Sequence, residues 1–474
     1  MRKNTKIIAT ISDSRCDFSF IKALIEEGVD AFRLNTAHQT PETSKRVVDA
    51  IRKVSSHVAI VLDTKGPEVR TRLGGAPLEV QEGDVVWVGG EPVEDAPWFS
   101  TSYERFVEDV PEGARLLIDD GEIGLLVEER KAGRLVCRVE NEGVVKDKKS
   151  INVPGVHLSL PALTGKDREY VRFAVEEGVD YIAHSFVRSR EDVEEVREAL
   201  ERAGGDAGTV GIIAKIENRE GVDHAEGILD TCDGLMIARG DLGIEIPAEE
   251  VPAIQKRLIR LCMERAKPVI TATQLLHSMI ENPRPTRAEV TDIATAVLDG
   301  TDALMLSGET AYGKYPVEAV KTMVRVASTA EKMRPELPEH DIVGYTNPVR
   351  YFLSQVAMKA SYRLPIAAII VHTYTGRTAR LVSSFRGKTP VYVFCHDSRV
   401  ARRLALSYGV YPRVIELPES TDELVKESIS SLLTEGDVRP EDLVLILAGS
   451  PPHQSNSSNF LEINTVATYL KERG

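Results

Sequence analysis

Charged and hydroxyl side chains follow most of the short apolar runs in this 474-residue chain, at the point where each run ends. In chain order they are Arg33 and Asn35; Asp63, Thr64 and Lys65, with Arg70 just beyond; Ser185; Lys215 and Glu217; Arg239, Gly240 and Asp241; Thr271 and Thr273; Ser307 and Glu309. A single residue of this kind is most often a loop or capping group. Because so polar a set would be costly to bury without partners, the whole set indicates an active site.

The mixture of charges in this set indicates chemistry on a phosphate. Glu217 and Asp241 follow successive apolar runs and offer the hard oxygen ligands that Mg²⁺ or Mn²⁺ prefers. Lys215 lies two positions before Glu217, so in a strand both side chains share one face, about 7 Å apart. With Arg33 and Arg70 nearby, several cations would surround a divalent metal, which is typical of phosphoryl transfer. The alternative is an internal ion network.

Two glycine-containing turns could cradle a phosphate or a carboxylate. The turn at residues 238–243 (ARGDLG) follows an apolar run, and its backbone N–H groups can hold a carboxylate. Residues 308–314 read GxxxxGK, but Tyr315 stands where a P-loop needs Ser or Thr to hold Mg²⁺. We therefore predict that this second turn only closes the eighth strand and starts the last barrel helix.

The elements that position these residues alternate between apolar strands and amphipathic helices. Strands are predicted at residues 7–11, 31–35, 58–63, 181–186, 211–216, 234–238, 269–272 and 303–306, each followed by a helical stretch; the helices at 18–27, 41–54, 170–177 and 192–202 are the clearest. Near-continuous apolar strands are typical of a parallel sheet that is buried on both faces. Eight strand–helix units predict an α/β fold of the (β/α)8 TIM-barrel type, whose active site lies at the carboxyl ends of the strands.

The pattern is interrupted once and is followed by a further region. Residues 67–156 contain short alternating runs and predict a small inserted β domain. After a proline-containing linker at 335–348, strands are predicted at 367–371, 391–394, 414–417 and 443–447, which indicates a parallel α/β domain. The predicted division is residues 1–66 and 157–335 for the barrel, 67–156 for the insert and 336–474 for the C-terminal domain.

Composition excludes several classes of protein. Basic residues number 59 and acidic residues 73, and the resulting net charge of −14 argues against nonspecific nucleic-acid binding. No apolar run reaches the roughly 18 residues that a membrane span requires, and the N-terminus shows no apolar signal core. Five scattered cysteines without a CxxC pair predict free thiols and a cytoplasmic location.

Six peptides in order resemble pyruvate kinase. They are DTKGPEVR (63–70), AKIEN (214–218), IARGDLGIEIP (237–247), TATQ (271–274), PRPTRAE (283–289) and LSGET (306–310). The resemblance runs over nearly the whole chain, and it implies a barrel, an inserted β-barrel lid and a C-terminal regulatory domain. The implied reaction is transfer of the phosphoryl group of phosphoenolpyruvate to ADP, giving pyruvate and ATP in glycolysis.

The resemblance also implies roles for single residues. Glu217 and Asp241 would hold Mg²⁺ or Mn²⁺, and Lys215 would neutralise the transferring phosphoryl group and the enolate. Arg33 and Ser185 would lie on the substrate, and Gly240, Asp241 and Thr273 would bind its carboxylate. Thr273 would also serve the protonation of enolpyruvate, through water because a hydroxyl is a poor acid. On the nucleotide side the implied contacts are Asn35, His38 and Arg70, with Asp120 and Lys149 from the lid.

Three departures from the family pattern concern ions and nucleotide. The family's monovalent-cation site would here use Asn35, Asp63 and the Thr64 carbonyl, but Ala37 replaces its serine. Glu68 stands where potassium-dependent members have Glu, so the two signals conflict, and we favour K⁺ use on balance. Ser12 and Asp13 replace the usual peptide after the first strand, which leaves nucleotide preference open.

A second anion signal lies in the C-terminal region. Thr373, Thr375, Gly376, Arg377 and Thr378 surround a predicted helix start, where hydroxyls and N–H groups can cradle a phosphate. The resemblance places the phosphate of an allosteric effector there, and it also implies a homotetramer. The loop at residues 449–459 lacks the family's Trp-Arg pattern, so fructose 1,6-bisphosphate does not follow.

Two rival functions remain at this point. One is another metal-dependent barrel enzyme that acts on phosphoenolpyruvate or pyruvate, such as an aldolase or lyase. The other is a noncatalytic sensor that binds metabolites through residues 373–378. The expected partners are phosphoenolpyruvate, ADP or ATP, pyruvate and a phosphorylated effector, with no nucleic acid and no membrane.

Overall fold

Eight parallel strands close into a barrel in the computed structural model, which describes residues 3–93, 96–205, 208–334, 341–344, 347–416, 420–449 and 458–472. The strands are β1 (Lys6–Ile11), β2 (Ala31–Asn35), β3 (Ala59–Asp63), β4 (Tyr181–His184), β5 (Gly211–Ile216), β6 (Gly234–Ala238), β7 (Val269–Ala272) and β8 (Ala303–Leu306). Each strand pairs with the next in chain order, and β8 pairs with β1. The predicted barrel is confirmed.

Alternate side chains of each barrel strand pack into two different cores. Residues such as Ile8, Val61 and Ile213 point into the barrel interior, whereas Ile7, Ile60 and Ile212 pack against the outer helices. Both faces are apolar, which explains why the strands read as near-continuous hydrophobic runs. Leu406, from the C-terminal region, also packs into the interior cluster and so fills one end of the barrel.

The helices outside the barrel confirm the predicted alternation. They are Phe18–Glu26, Pro41–Val54, Gly165–Glu176, Arg190–Arg202, Arg219–Asp223, Ala225–Thr231, Arg239–Glu245, Val251–Glu264, Arg287–Asp299, Gly308–Ala311 and Pro316–Met333, with a 3₁₀ turn at His277–Ile280. The helix predicted at residues 170–177 begins earlier, at Gly165, because Thr164 and Asp167 form a capping box. Within the described ranges, no helix is both long enough and apolar enough to cross a membrane.

In its described residues, the insert between β3 and β4 contains a mostly antiparallel seven-stranded sheet that closes on itself and a separate two-stranded sheet formed by Leu78–Val80 and Gly143–Val145. Its strands are Thr71–Arg72, Leu78–Val80, Val85–Val88, Trp98–Thr101, Arg115–Ile118, Ile123–Lys131, Arg134–Val139, Gly143–Val145 and Ile151–Asn152, with one helix at Phe106–Asp109. Thr71–Arg72 and Ile151–Asn152 lie at opposite ends of the seven-stranded sheet, and a bridge between Arg70 and Ser150 joins those ends. The insert has its own apolar core, which includes Val86, Phe99 and Leu116.

The C-terminal region has four parallel strands and one antiparallel edge strand. The strands are Ile366–His372, Val391–Cys395, Val410–Val414, Leu443–Gly449 and Ser458–Thr465; the helices are Pro348–Arg363, Arg377–Ser384, Ser398–Leu404, Thr421–Thr434 and Val466–Glu472. The prediction of a strand at residues 414–417 was wrong, and residue 417 lies outside the described residues. The strand ends at Val414 and contains Pro412, which disguises it in the sequence and suits its position at the sheet edge. The antiparallel strand was missed.

Four aspartates form a ring at the amino end of the barrel, each directly before an even-numbered strand. They are Asp30, Asp180, Asp233 and Asp302, before β2, β4, β6 and β8. Each accepts a hydrogen bond from a backbone N–H near the start of the preceding strand: Ile7 at 2.7 Å, Ile60 at 2.8 Å, Ile212 at 2.9 Å and Val269 at 3.0 Å, respectively. The repeated Gly-Val-Asp at residues 28–30 and 178–180 is part of this ring.

Cations from outside the barrel neutralise the aspartate ring. Three of them lie in the C-terminal region: Arg402 contacts Asp180 at 2.7 Å, Arg403 contacts Asp233 at 3.1 Å, and Arg386 pairs with Asp302. The fourth is Lys3, which pairs with Asp30. Since Arg386 and Asp302 are each only 2% exposed, this pair lies inside the contact between the C-terminal region and the barrel.

Candidate active site

The polar residues predicted from the sequence lie at the carboxyl ends of the barrel strands and are called the polar ring, as distinct from the aspartate ring at the amino end. Lys215, on β5, lies at its centre. Its ammonium nitrogen is 3.0 Å from Asp63 Oδ1, 2.9 Å from Glu217 Oε1 and 2.7 Å from Ser185 Oγ. Burial opposes its charge, but the Asp63 and Glu217 carboxylates outweigh that effect and raise the pKa of Lys215. The side chain therefore stays a cation and points into the site with 11% of its surface exposed.

Asp63, at the end of β3, holds a second cation beside Lys215. Its Oδ2 accepts a hydrogen bond from Arg33 Nε at 2.6 Å, and Arg33 also donates to Thr10 Oγ1 at 3.2 Å. Burial would raise the pKa of Asp63, but Arg33 and Lys215 more than compensate and lower it. One buried carboxylate thus orients a guanidinium and an ammonium toward the same space, which suits an anionic substrate.

Glu217 and Asp241 provide the carboxylates predicted for a divalent metal. Glu217 is almost fully buried, and its Oε2 accepts the backbone N–H of Phe186 at 2.6 Å. Burial and the like charge of Asp241 raise the pKa of Glu217 despite the nearby Lys215, and burial also raises the pKa of Asp241. Two carboxylates whose charge is disfavoured by burial would gain from a bound cation, and their hard oxygen atoms fit a Mg²⁺ or Mn²⁺ ion.

Two carboxylates, those of Glu217 and Asp241, are enough for a metal ion that takes its remaining ligands from the substrate. Across the described ranges, no group of three or more His, Cys, Asp and Glu side chains is arranged to hold a metal. Mg²⁺ commonly uses one or two protein carboxylates and completes its coordination with water and substrate oxygens. Two carboxylates at this rim are therefore an appropriate donor set.

Thr273 and Gly240 meet at the ends of β7 and β6. The Gly240 N–H donates to Thr273 Oγ1 at 2.7 Å, and the Thr273 hydroxyl donates to the Ala272 carbonyl at 2.7 Å. A Cβ on Gly240 would make only an ordinary contact, 3.5 Å from Thr273 Oγ1. The Gly240 N–H and the Thr273 hydroxyl form one polar corner, and a carboxylate bound there would have to take the place of the hydrogen bonds that they now make with the protein.

The nucleotide contacts predicted in and beside the insert, Arg70, Lys149 and Asp120, all have partners from the same part of the chain. Arg70 is bound to Glu68 at 2.5 Å and to the Lys148 carbonyl at 2.7 Å, and Lys149 is 2.8 Å from Asp119. The sequence assigned the lid contact to Asp120, whose carboxylate here accepts a hydrogen bond from Ser150 at 3.1 Å. A cavity of about 290 Å³ separates the insert from the barrel and is lined by residues of both, including Glu68, Asp120, Ser150, Asp241 and Glu245.

The residues of the expected monovalent-cation site already have partners. Asn35 Oδ1 accepts the Ala37 N–H at 3.1 Å, and the Thr64 carbonyl accepts the Ser185 hydroxyl at 2.7 Å. Asp63 holds Arg33 and Lys215. His38 is exposed just beyond β2, at the rim where the nucleotide contacts were predicted.

Some residues of the polar set are structural. Thr271 is fully buried and bonds to Thr301, while Glu309 caps the backbone N–H groups of Leu276 and Ser307. Thr271 lies inside β7 and joins it to Thr301 just before β8, whereas Glu309 holds the backbone that follows β7 and β8.

The structure adds two contacts that the sequence did not reveal. In one, Arg33 donates a hydrogen bond to the Thr10 hydroxyl, and in the other, Arg239 forms an ion pair with Asp292. Asp292 could not have been found by motif reading, since it lies on an outer helix.

The predicted effector loop has the form of a helix start. Gly376 adopts a φ of 78° and donates its N–H to Thr373 Oγ1 at 3.0 Å before the helix Arg377–Ser384. Thr375 and Arg377 are exposed, whereas Thr378 is buried and lies 2.7 Å from Ser458 Oγ. Most of the adjacent loop at residues 449–459 lies outside the described residues.

Comparison with known proteins agrees with this architecture. The family model described as "Pyruvate kinase, barrel domain" matches residues 2–320, and "Pyruvate kinase, alpha/beta domain" matches residues 352–464. The pyruvate kinase of Borreliella burgdorferi is 46% identical, with 99% of each chain covered. That of Geobacillus stearothermophilus is 43% identical over 99% of this chain and 81% of its own, and that of Clostridium acetobutylicum 42% over 98% and 100%. The chain belongs to the pyruvate kinase family, whose enzymes transfer a phosphoryl group from phosphoenolpyruvate to ADP.

Proposed function

We propose that this enzyme performs phosphoryl transfer from phosphoenolpyruvate to ADP at the ring around Lys215. The observation that carries the proposal is the contact of one ammonium with Asp63, Ser185 and Glu217 at 2.7–3.0 Å. Such fixed charges need no reorganisation when charge moves during the reaction. Lys215 would balance the transferring phosphoryl group and the developing enolate, and Arg33 would hold the phosphate.

Glu217 and Asp241 would hold the divalent ion. When bound, Mg²⁺ or Mn²⁺ would supply positive charge to the phosphoryl and carboxylate oxygens of the substrate. The chain's own contribution is to fix these carboxylates: Glu217 is held by Lys215 and by the Phe186 N–H. Asp241 follows β6 directly on a short helix, Arg239–Glu245.

The corner formed by Gly240, Asp241 and Thr273 would bind the substrate carboxylate and orient its methylene carbon. Thr273 would then lie on the side where enolpyruvate gains a proton. A hydroxyl hydrogen-bonded to a carbonyl can order a water molecule, so the proton would arrive through water rather than from the threonine itself.

The nucleotide would enter on the side of Asn35, His38 and Arg70. Closure of the insert, proposed as a lid over residues 67–156, would bring Lys149 to the phosphates and Asp120 to the edge of the nucleotide site, and it would exclude water from the transfer. That movement requires Arg70 and Lys149 to exchange their present partners, Glu68 and Asp119, for phosphate oxygens.

The proposed regulatory, assembly and location assignments rest on the family resemblance. Residues 336–474 would form a regulatory domain, with the phosphate of an effector at Thr373, Thr375, Gly376, Arg377 and Thr378. The exposure of Thr375 and Arg377 beside a helix start supports that assignment. We also propose a homotetramer in the cytoplasm.

Substitution of Asp241 by Asn tests the metal assignment. We expect the Mg²⁺ concentration for half-maximal activity to rise at least about tenfold, because loss of even an outer-shell partner of a metal ligand typically costs about 10–100-fold in affinity and Asp241 would be a direct ligand. The measurement is initial pyruvate formation at saturating phosphoenolpyruvate and ADP across a Mg²⁺ titration. Glu249→Gln, an exposed carboxylate just beyond the short helix that carries Asp241, is the control and should keep the wild-type midpoint; an unchanged midpoint in Asp241→Asn would contradict the assignment.

A titration of K⁺ tests the monovalent site. We propose that K⁺ supports activity through Asn35, Asp63 and Thr64, as Glu68 indicates. Activity in K⁺ should then exceed activity in Na⁺ or Tris at equal ionic strength by several-fold. Equal rates in all three salts would show that the enzyme does not require K⁺, as the absence of the serine hydroxyl at Ala37 indicates.

A further inference from the structure

Arg239 contacts the backbone of Thr273 and of the residue before it, Ala272. It follows β6 directly, and its guanidinium donates to the Thr273 carbonyl at 2.8 Å and to the Ala272 carbonyl at 3.3 Å. Arg239 is itself held by Asp292 through two hydrogen bonds of 2.6 and 2.7 Å. Only 11% of its side chain is exposed, so it does not serve as a surface charge.

The turn that Arg239 holds is strained. Thr273 has a φ of 68° and Gln274 a φ of 57°, both in the left-handed region. A β-branched residue rarely adopts that conformation, and such a conformation persists only where the surrounding structure enforces it. The contact with the Thr273 carbonyl is therefore one of the interactions that can enforce it.

The strained conformation determines where the Thr273 hydroxyl lies. In this turn Oγ1 accepts the Gly240 N–H at 2.7 Å. If the turn relaxed toward an ordinary conformation, the hydroxyl would leave Gly240 and the polar corner would open. Reacting groups displaced by about 1 Å can lose on the order of 100-fold in rate.

Asp292 ties this turn to an outer layer of the barrel. It lies on the helix Arg287–Asp299, and Arg239 also contacts Gln255 of the helix Val251–Glu264 at 3.3 Å. The bidentate pairing needs the planar fork of an arginine, which lysine cannot reproduce. Asp292 and Gln255, on two different helices, thus fix the orientation of the guanidinium that contacts the turn at Thr273.

We propose that Arg239, oriented by Asp292, is a positioning residue for Thr273 in the phosphoenolpyruvate reaction. The inference rests on the proposed role of Thr273. It predicts that loss of the Arg239–Asp292 pair lowers kcat by about 10- to 100-fold while KM for phosphoenolpyruvate changes much less. It also predicts that the loss has little further effect once Thr273 has no hydroxyl.

A double-mutant cycle tests the proposal. The variants are Asp292→Ala, Thr273→Ala and the combination, measured for kcat and KM, with Arg239→Lys as a charge-conserving variant. We expect Asp292→Ala and Arg239→Lys each to lower kcat in the wild-type background, and Asp292→Ala to change kcat by less than about twofold in the Thr273→Ala background, since coupled residues are non-additive. Asp230→Asn, which disturbs an exposed ion pair with Arg265, should leave kcat unchanged.

The outcomes separate this proposal from the role of Thr273 itself. If Thr273→Ala keeps the wild-type kcat, the assigned role of Thr273 fails. If Thr273→Ala is impaired but Asp292→Ala lowers kcat by the same factor in both backgrounds, Thr273 keeps its role and the positioning by Arg239 is overturned. Unchanged thermal midpoints across the cycle would show that the variants are folded, and Arg239→Lys provides a second comparison if Asp292→Ala is not.

Discussion

The Lys215→Met variant should lose pyruvate formation from phosphoenolpyruvate and ADP by at least about a thousandfold in kcat. The substitution keeps most of the side-chain volume and removes only the ammonium, which contacts Asp63, Ser185 and Glu217. No other lysine or arginine assigned to the ring takes its place, since Arg33 is held on the far oxygen of Asp63. The measurement is the steady-state rate at saturating substrates and Mg²⁺.

Two controls keep this result interpretable. Lys22→Met, in an exposed pair with Glu26, should retain wild-type turnover. Lys215→Met should retain a cooperative thermal transition, because Arg33 still neutralises Asp63. A folded Lys215→Met variant with wild-type turnover would contradict the role given to Lys215.

Replacement of Asp302 by Ala should lower the free energy of unfolding by about 3–5 kcal/mol. We expect this loss in the transition in which the C-terminal region separates from the barrel. The change leaves Arg386 as a buried guanidinium without its carboxylate, and it removes the acceptor of the Val269 and Tyr408 N–H groups. Urea unfolding followed by circular dichroism gives the shift in midpoint. Glu198→Ala, in the exposed pair with Arg202, should cost less than about 1 kcal/mol.

The double variant Asp302→Ala/Arg386→Met sharpens this prediction. Burial raises the pKa of Asp302 even though Arg386 lies beside it, so the intact pair does not fully compensate for the desolvation of its charges. Removing both charges should therefore recover part of the stability lost in Asp302→Ala. A double variant that is less stable than Asp302→Ala would show that the cost arises from packing rather than from an unpaired charge.

Local pattern was sufficient to predict the barrel and to place Lys215 beside Glu217. The eight strands were visible because residues such as those of β5 and β8 are apolar on both faces, and their ends coincide with polar residues. Lys215 and Glu217 were predicted on one face by the two-residue period of a strand, and the structure places their charged groups 2.9 Å apart.

Interactions between distant segments were not predictable in the same way. The sequence showed Asp30 and Asp180 only as parts of a repeated loop, whereas their role at the barrel end depends on Lys3 and Arg402. Asp292 gives no local signal because its partner, Arg239, lies 53 positions away. The strand Val410–Val414 was misplaced because Pro412 breaks the strand pattern and only the sheet edge accommodates it.

The most direct test of the central claim is pyruvate formation from phosphoenolpyruvate with Mg²⁺, measured with and without ADP on the intact chain. A site that transfers phosphoryl groups should produce pyruvate only when ADP is present and should form one ATP for each pyruvate. An aldolase or lyase would act without ADP, and a sensor would form no product. ADP-dependent formation of pyruvate and ATP in equal amounts is the result expected, and a folded sample that forms no ADP-dependent product would contradict the account.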